Sequence, residues 1–279
     1  MNRSLTVEFT KMHGAGNDFI VLDNRWYRFS DEELSDLAAA WCPRRYGIGA
    51  DGLLALAPTD AEAVAYRMRY VNGDGSWATM CGNGARCLAR FAAEAGLEGP
   101  EFTFESDAGR YRAEVPPGDQ APVRLHVPAP TRLTADPGME TDRPGGLDAV
   151  HFVHTGTEHL VAFVSEVEAV PVVAWGRKLR YDPALQPAGA NVNFVAVTGE
   201  GLRVRTYEKG VEGETPSCGT GVLAAATVAV AAGHTSPGRV DVRTPGGRLH
   251  VGVPEAGDAA PRYLEGPVRT TFRGTIEVG

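Results

Sequence analysis

Hydrophobic and polar positions alternate with a two-residue period in many short stretches of this chain, and two longer stretches carry helical patterns. In the first half the alternation predicts strands over 19–23, 53–56, 67–71, 102–105 and 111–115. The last two are separated by Asp107-Ala108-Gly109, which marks a hairpin. A helix is predicted over 31–41, because Ser30 can cap it and Glu33 follows three residues later to complete a capping box. The second half repeats the scheme, with strands expected over 160–164, 192–197, 202–207, 240–244 and 248–253. Its helix runs from about Gly219 to Ala232 and closes on Gly233. Val222, Leu223, Ala224, Ala225, Ala226, Val228, Ala229 and Val230 make that helix apolar almost all round. Such a helix must be buried on most faces, so the sheet is expected to curl around it. The segment 128–146, with four prolines, reads as a connection or loop, and 268–278 as one or two further strands.

The two halves share more than a pattern. Cys81-Gly82-Asn83-Gly84-Ala85-Arg86 and Cys218-Gly219-Thr220-Gly221-Val222-Leu223 are the same short phrase, about half of the 279 residues apart. Gly16-Asn17-Asp18-Phe19-Ile20-Val21 matches Gly156-Thr157-Glu158-His159-Leu160-Val161 at nearly the same offset. Gly49-Ala50-Asp51 likewise matches Gly189-Ala190-Asn191. This order and spacing predict two α/β domains of the α+β type and of one fold, facing each other across a cleft that holds the active site. Each is expected to be a curled, mostly antiparallel sheet around a central apolar helix. The expected boundaries are 1–125, with 267–279 returning to that domain, and 126–266.

Composition narrows the function. Apolar residues make up 43% and charged residues 22%, as in a globular protein that works in water. A net charge of −8 speaks against a nucleic-acid footprint, and no apolar run is long enough for a membrane span. No signal-peptide pattern is read at the N-terminus, so cytoplasmic residence is expected. The four cysteines form no CxxC and no cysteine–histidine cluster of zinc spacing, so neither a disulfide framework nor a metal site is expected. Cys42 and Cys87 read as core residues.

Cys81 and Cys218 differ, since a glycine-rich turn before a helix former places each at a helix N-terminus. Unpaired N–H groups and the macrodipole favour anions there, so such a thiol ionises more easily than a free one of pKa about 8.5. A cysteine nucleophile with a histidine base would need only one of them, and a dithiol redox centre would need both on one loop. Cofactor-free racemisation uses both: a thiolate removes a proton from a tetrahedral carbon and a thiol delivers one to the opposite face. The helix N-termini would hold the carboxylate and the charge that builds on it.

Lys11 to Phe19, Gly47 to Gly52, Asn72 to Ser76, Met80 to Cys87, and Tyr207 to Thr215 with Ser217 to Gly221 resemble the diaminopimelate epimerase family, in order and through nearly the whole chain. The resemblance implies a cofactor-independent isomerase that interconverts LL- and meso-2,6-diaminoheptanedioate on the way to lysine and peptidoglycan. It implies Cys81 and Cys218 as the acid–base pair, His159 beside the first thiol and Glu208 beside the second. Asn17, Asn72 and Asn191 match substrate-binding asparagines, and Gly82, Asn83, Gly219 and Thr220 match the donors that hold the reacting carboxylate. Lys209 stands where the family has an arginine that meets the far end of the substrate. Thr157 and Glu158 replace an asparagine–proline pair, and Gly52 replaces a frequent glutamine. The expected partner is a small amino-acid substrate, with no nucleic acid or membrane, and the chain works alone or as a homodimer. Two other readings stand beside this one: a two-thiol racemase for proline, hydroxyproline or histidine, and a non-catalytic thiol sensor on the same scaffold.

Overall fold

Each half of the chain builds the same succession of strands and helices. The computed structural model describes residues 5–118, 120–145, 147–258 and 261–278. They divide into two units, residues 1–125 with 266–279, and residues 126–265.

In the first unit β1 (Leu5–Gly14) turns back antiparallel into β2 (Asn17–Leu22). The tight turn uses Ala15 and Gly16, both at positive φ. After α1 (Asn24–Tyr27) and α2 (Asp31–Trp41), β3 (Gly52–Ala57) lies parallel to β2. The antiparallel β4 (Tyr66–Asn72) follows, then α3 (Gly82–Glu94), then β5 (Glu101–Ser106) parallel to β4 and the hairpin partner β6 (Gly109–Glu114). The strand β7 (Val123–Val127) spans the boundary between the units.

The second unit begins with β8 (Thr131–Ala135), β9 (Leu147–His154) and β10 (Glu158–Val164), successively antiparallel. Beyond α4 (Val172–Arg180), β11 (Asn191–Thr198) runs parallel to β10, and β12 (Gly201–Glu208) returns antiparallel with β13 (Gly213–Thr215) on its end. Then come α5 (Gly219–Ala231), β14 (Gly238–Thr244) parallel to β12, and the antiparallel β15 (Gly247–Val253) and β16 (Arg262–Gly266). The last strand, β17 (Val268–Val278), pairs antiparallel with β1 in the first unit. Parallel, antiparallel, parallel, antiparallel is thus the order of pairing from β2 to β6 and from β10 to β15, with the helices in the same crossovers.

Burial explains why the strands read as they do. All six residues of β3 and the first six of β11 are buried, because a helix covers each face. On one face α2 packs Leu34, Leu37, Ala38 and Trp41 against Ile20, Leu22, Leu53 and Ala55. In the second unit Val172 and Leu179 of α4 meet Leu160, Ala162, Val192 and Phe194. The other face takes α3 or α5. Helix α2 starts on Ser30 with both hydrogen bonds of the capping box in place.

Several elements differ from expectation. The segment 128–146 contains the strand β8 rather than only a loop; β8 is exposed along its length, so no apolar alternation marks it. Gly146 lies outside the described residues. The tail is one strand. β1, β7, β9, β13, β16, α1 and α4 lay outside the predicted elements. Of the two inner helices only α5 is apolar all round, since α3 buries Asn83, Arg86 and Arg90. Among the described residues no helix is long and apolar enough to cross a membrane.

Candidate active site

Both motif cysteines are N-caps. Cys81 and Cys218 have extended backbones, and their carbonyls accept the first helical bonds, from Ala85 N–H at 2.8 Å and Val222 N–H at 2.9 Å. Cys81 Sγ also accepts the Gly84 N–H at 3.5 Å, while Cys218 makes no such side-chain capping bond. Each sulfur therefore lies at the positive end of a buried helix. Cys42 and Cys87 are buried away from any helix start, and burial pushes their thiols upward, that of Cys42 to about 12. Cys42 and Cys87 are thus core residues, as the sequence predicts, while Cys81 and Cys218 stand at helix starts.

Around Cys81, two asparagines are oriented by charged neighbours. Asn17 Nδ2 donates to Asp51 Oδ2 at 2.7 Å, which leaves Asn17 Oδ1 to accept from Cys81 Sγ at 3.5 Å and Asn83 Nδ2 at 3.3 Å. Arg86, fully buried, donates to Asn83 Oδ1 at 2.9 Å and to the Gly82 carbonyl at 3.1 Å. A carboxylate only accepts and a guanidinium only donates, so Asp51 and Arg86 fix which end of each amide faces the thiol. Burial lowers the pKa of Arg86, and the negative charge on Cys87 or Cys81, if present, acts the other way. Asp51 is held in turn by Arg44, and Arg44 and Lys11 both grip Asp18. Burial raises Asp18, but those two cations outweigh it and keep its carboxyl well below the usual range. Asn72 closes the adjoining turn, donating to Ser76 Oγ at 3.0 Å.

The second unit arranges its residues differently. Cys218 Sγ lies 3.4 Å from Thr220 Oγ1, and the Thr220 carbonyl accepts from Thr155 Oγ1 at 3.0 Å. Gly219 is buried in the first turn. Glu208, at the end of β12, accepts from Thr215 Oγ1 at 2.8 Å. Asn191 pairs in register with His159, and both ends of its amide meet main chain: the Lys209 N–H at 2.8 Å and the Glu158 carbonyl at 3.3 Å. Lys209 Nζ forms an ion pair with Glu158 at 2.8 Å. Burial raises the Glu158 carboxyl, but Lys209, its own amide and Thr157 bring it down to about 2. His159 is fully buried, and burial, reinforced by the Lys209 charge, pushes it down to about 3. It is neutral at physiological pH.

The structure thus joins Asn17, Cys81, Gly82 and Asn83 in one cluster, Cys218 with Thr220 in a second, and His159, Asn191, Glu208 and Lys209 along the ends of β10, β11 and β12. Asp51, Arg86, Thr215 and Asn193 support these groups and were not singled out from the sequence. For Asn193 a signal existed: an amide among the apolar residues of a buried strand needs partners. Among the described residues no group of three histidine, cysteine or acidic side chains is placed to hold a metal ion.

Solved structures share this fold. A Bacillus anthracis phenazine biosynthesis protein of the PhzF family superimposes with a TM-score of 0.77, covering 98% of this chain and 100% of that chain at 14% identity. A hydroxyproline epimerase from Agrobacterium vitis, with bound trans-4-hydroxy-L-proline, gives 0.68 over 98% and 93% at 17% identity. Sequence likeness is more specific. A Chlorobaculum tepidum diaminopimelate epimerase is 42% identical over 95% of this chain and 99% of its own length. One from Methanocella arvoryzae is 41% identical over 98% and 97%. The diaminopimelate epimerase family profile matches residues 9–130 and 151–271, taking in both cysteine helices, and by that match and those relatives the chain belongs to the diaminopimelate epimerase family.

Proposed function

We propose that this chain interconverts LL- and meso-2,6-diaminoheptanedioate without a cofactor, as a step of lysine biosynthesis, with Cys81 and Cys218 as the two acid–base groups of one stereocentre. The observation that carries the reading is the pair of cysteines, each capping a buried helix at equivalent places in a duplicated fold. One sulfur, as thiolate, takes the α-proton, and the other, as thiol, supplies the proton that arrives on the opposite face. The roles exchange in the reverse direction. A thiol is suited to this because its pKa lies near the working pH in either role.

The remaining groups take the following parts. Gly82, Asn83, Gly219 and Thr220, in the first helical turns, hold the reacting carboxylate and the negative charge that spreads onto it when the α-proton leaves. Asn17 accepts the Cys81 S–H and so favours the thiol form of that sulfur. Glu208 and His159 serve the two thiols, and Asn72 and Asn191 line the substrate site. Lys209 meets the distal carboxylate as a point charge rather than with the planar fork of an arginine. We place the reaction in the cytoplasm, on a small amino-acid substrate and apart from nucleic acid and membrane, in a monomer or a homodimer.

The Lys209–Glu158 pair keeps a second reading open, because a lysine already neutralised by a carboxylate suits a substrate with a single carboxylate. The test is incubation in D₂O with LL-diaminopimelate, proline, trans-4-hydroxyproline or histidine, following deuterium at the α-carbon. Incorporation into diaminopimelate is expected. Incorporation into one of the other three and not into diaminopimelate would transfer the assignment to a racemase of that substrate, and none into any would leave the thiol-sensor reading.

A further inference from the structure

His159 and its neighbour Asn193 fix the position of a proton. Asn193 is fully buried on β11 and uses both ends of its amide. Nδ2 donates to the Leu160 carbonyl at 2.8 Å and lies 3.1 Å from His159 Nδ1, while Oδ1 accepts from Thr206 Oγ1 at 2.9 Å. A backbone carbonyl can only accept, so the amide end beside Leu160 is the nitrogen, and that nitrogen presents its second N–H to the imidazole. His159 Nδ1 must then be an acceptor and carry no hydrogen. A neutral imidazole has one ring proton, which therefore sits on Nε2. Imidazolium would set N–H against N–H at Nδ1. Nε2 is itself buried, with no hydrogen-bond partner among the described residues. A donor buried bare is unfavourable, a deficit that an incoming acceptor removes.

We propose that Asn193 is a positioning residue that locks His159 in the neutral Nε2–H tautomer, and that His159 serves the reaction as a hydrogen-bond donor to an anion rather than as a base. The chemical role rests on the function proposed above; the tautomer does not. The anchor is built into the helix of the second thiol, because a Cβ at Gly221 would lie 2.2 Å from Asn193 Oδ1. Glycine at that position leaves the room the amide needs. Burial and the nearby Lys209 charge keep the ring from gaining a second proton, against the smaller opposing effect of Glu158.

Protein labelled with ¹⁵N in its histidine rings tests this at neutral pH, the His159 signals being assigned by their loss in His159→Gln. The wild type is expected to show Nδ1 as a bare, pyridine-type nitrogen and Nε2 as N–H. In Asn193→Asp the carboxylate can only accept, so Nδ1 should gain the proton. kcat should then fall by about 100-fold or more, as holding a catalytic histidine in the wrong tautomer does elsewhere, with little change in KM. A proton on Nδ1 in the wild type, or an imidazolium signal, would overturn the proposal, as would unchanged kcat in an Asn193→Asp protein whose Nδ1 is protonated. The wild-type spectrum decides even if the carboxylate beside the Leu160 carbonyl prevents folding. It can also be read in a protein inactive on diaminopimelate, so failure of the tautomer and failure of the assigned reaction are told apart.

Discussion

Two charged groups orient the asparagines beside the Cys81 thiol. Asp51 turns Asn17 so that Oδ1 faces the sulfur, and Arg86 turns Asn83 so that Nδ2 faces Asn17. Asp51→Asn removes the obligatory acceptor and lets the Asn17 amide rotate, which offers the sulfur a donor in place of an acceptor. We expect kcat to fall by about tenfold, consistent with the modest net worth of one hydrogen bond to a charged group, with the folded structure kept by the remaining bonds of Asp18, Lys11 and Arg44. Steady-state rates with circular dichroism check this, and an unchanged kcat would remove the orienting role. At this scale motif and duplication mark the candidate residues in the sequence. It could not show the supports. Asp51 and Arg86 stand in the motifs without a stated partner, and the partner of each comes from another part of the fold or from helix geometry.

At the scale of elements, legibility followed burial and local chemistry. Helix α2 was readable because Ser30 and Glu33 carry their own capping chemistry, and α5 because its apolar faces leave no other placement than the core. Strand β8 has no buried face to impose a pattern, and α4 is only nine residues long, with a glycine inside it. That glycine has a tertiary cause: a Cβ at Gly176 would lie 2.3 Å from Tyr207 Cβ, so α4 needs the gap to pack on β12. Gly221 in α5 has a similar cause in Asn193. Gly221→Ala should lower stability by about 1–3 kcal/mol, as overpacking does, and depress kcat as well. Asn193→Ala in the same chain should add less than its own separate cost in stability and should not restore activity, because the clash and the positioning role have one source. Denaturant midpoints and rates of the wild type, Gly221→Ala, Asn193→Ala and the double variant provide the check; additive stability losses would show that Gly221 and Asn193 do not press on each other.

For the whole molecule, duplication was the most legible property, and the same order of strand pairings recurs in both units. Acid stability is a further property of this scale. His159 has an ordinary value of 6.5 and lies at about 3 in the folded chain, so above pH about 6.5 it is neutral in both states. Below that, the unfolded chain takes up a proton that the folded chain refuses, and stability falls as pH drops toward 3. Glu158 and Glu212, both held at about 2 against an ordinary 4.5, add a second loss of the same sign from about pH 4.5 downward. His159→Gln should therefore reduce the fall of the denaturant midpoint between pH 6.5 and 4.5, leaving the contribution of His151, which burial also lowers, and the loss at lower pH. Equal slopes in the two proteins would mean that the buried ring is not held neutral.

The central claim is that two sulfurs handle one hydrogen from opposite faces, and the isotope content of the first turnovers tests it most directly. LL-diaminopimelate is incubated with the enzyme in D₂O, and both epimers are recovered while conversion is still small. The account predicts that the meso product carries deuterium at the inverted carbon while the remaining LL substrate stays protiated, because the sulfur that removes the proton is not the one that delivers its replacement. A meso product that retains the substrate's own hydrogen, or deuterium entering both epimers equally from the start, would contradict it.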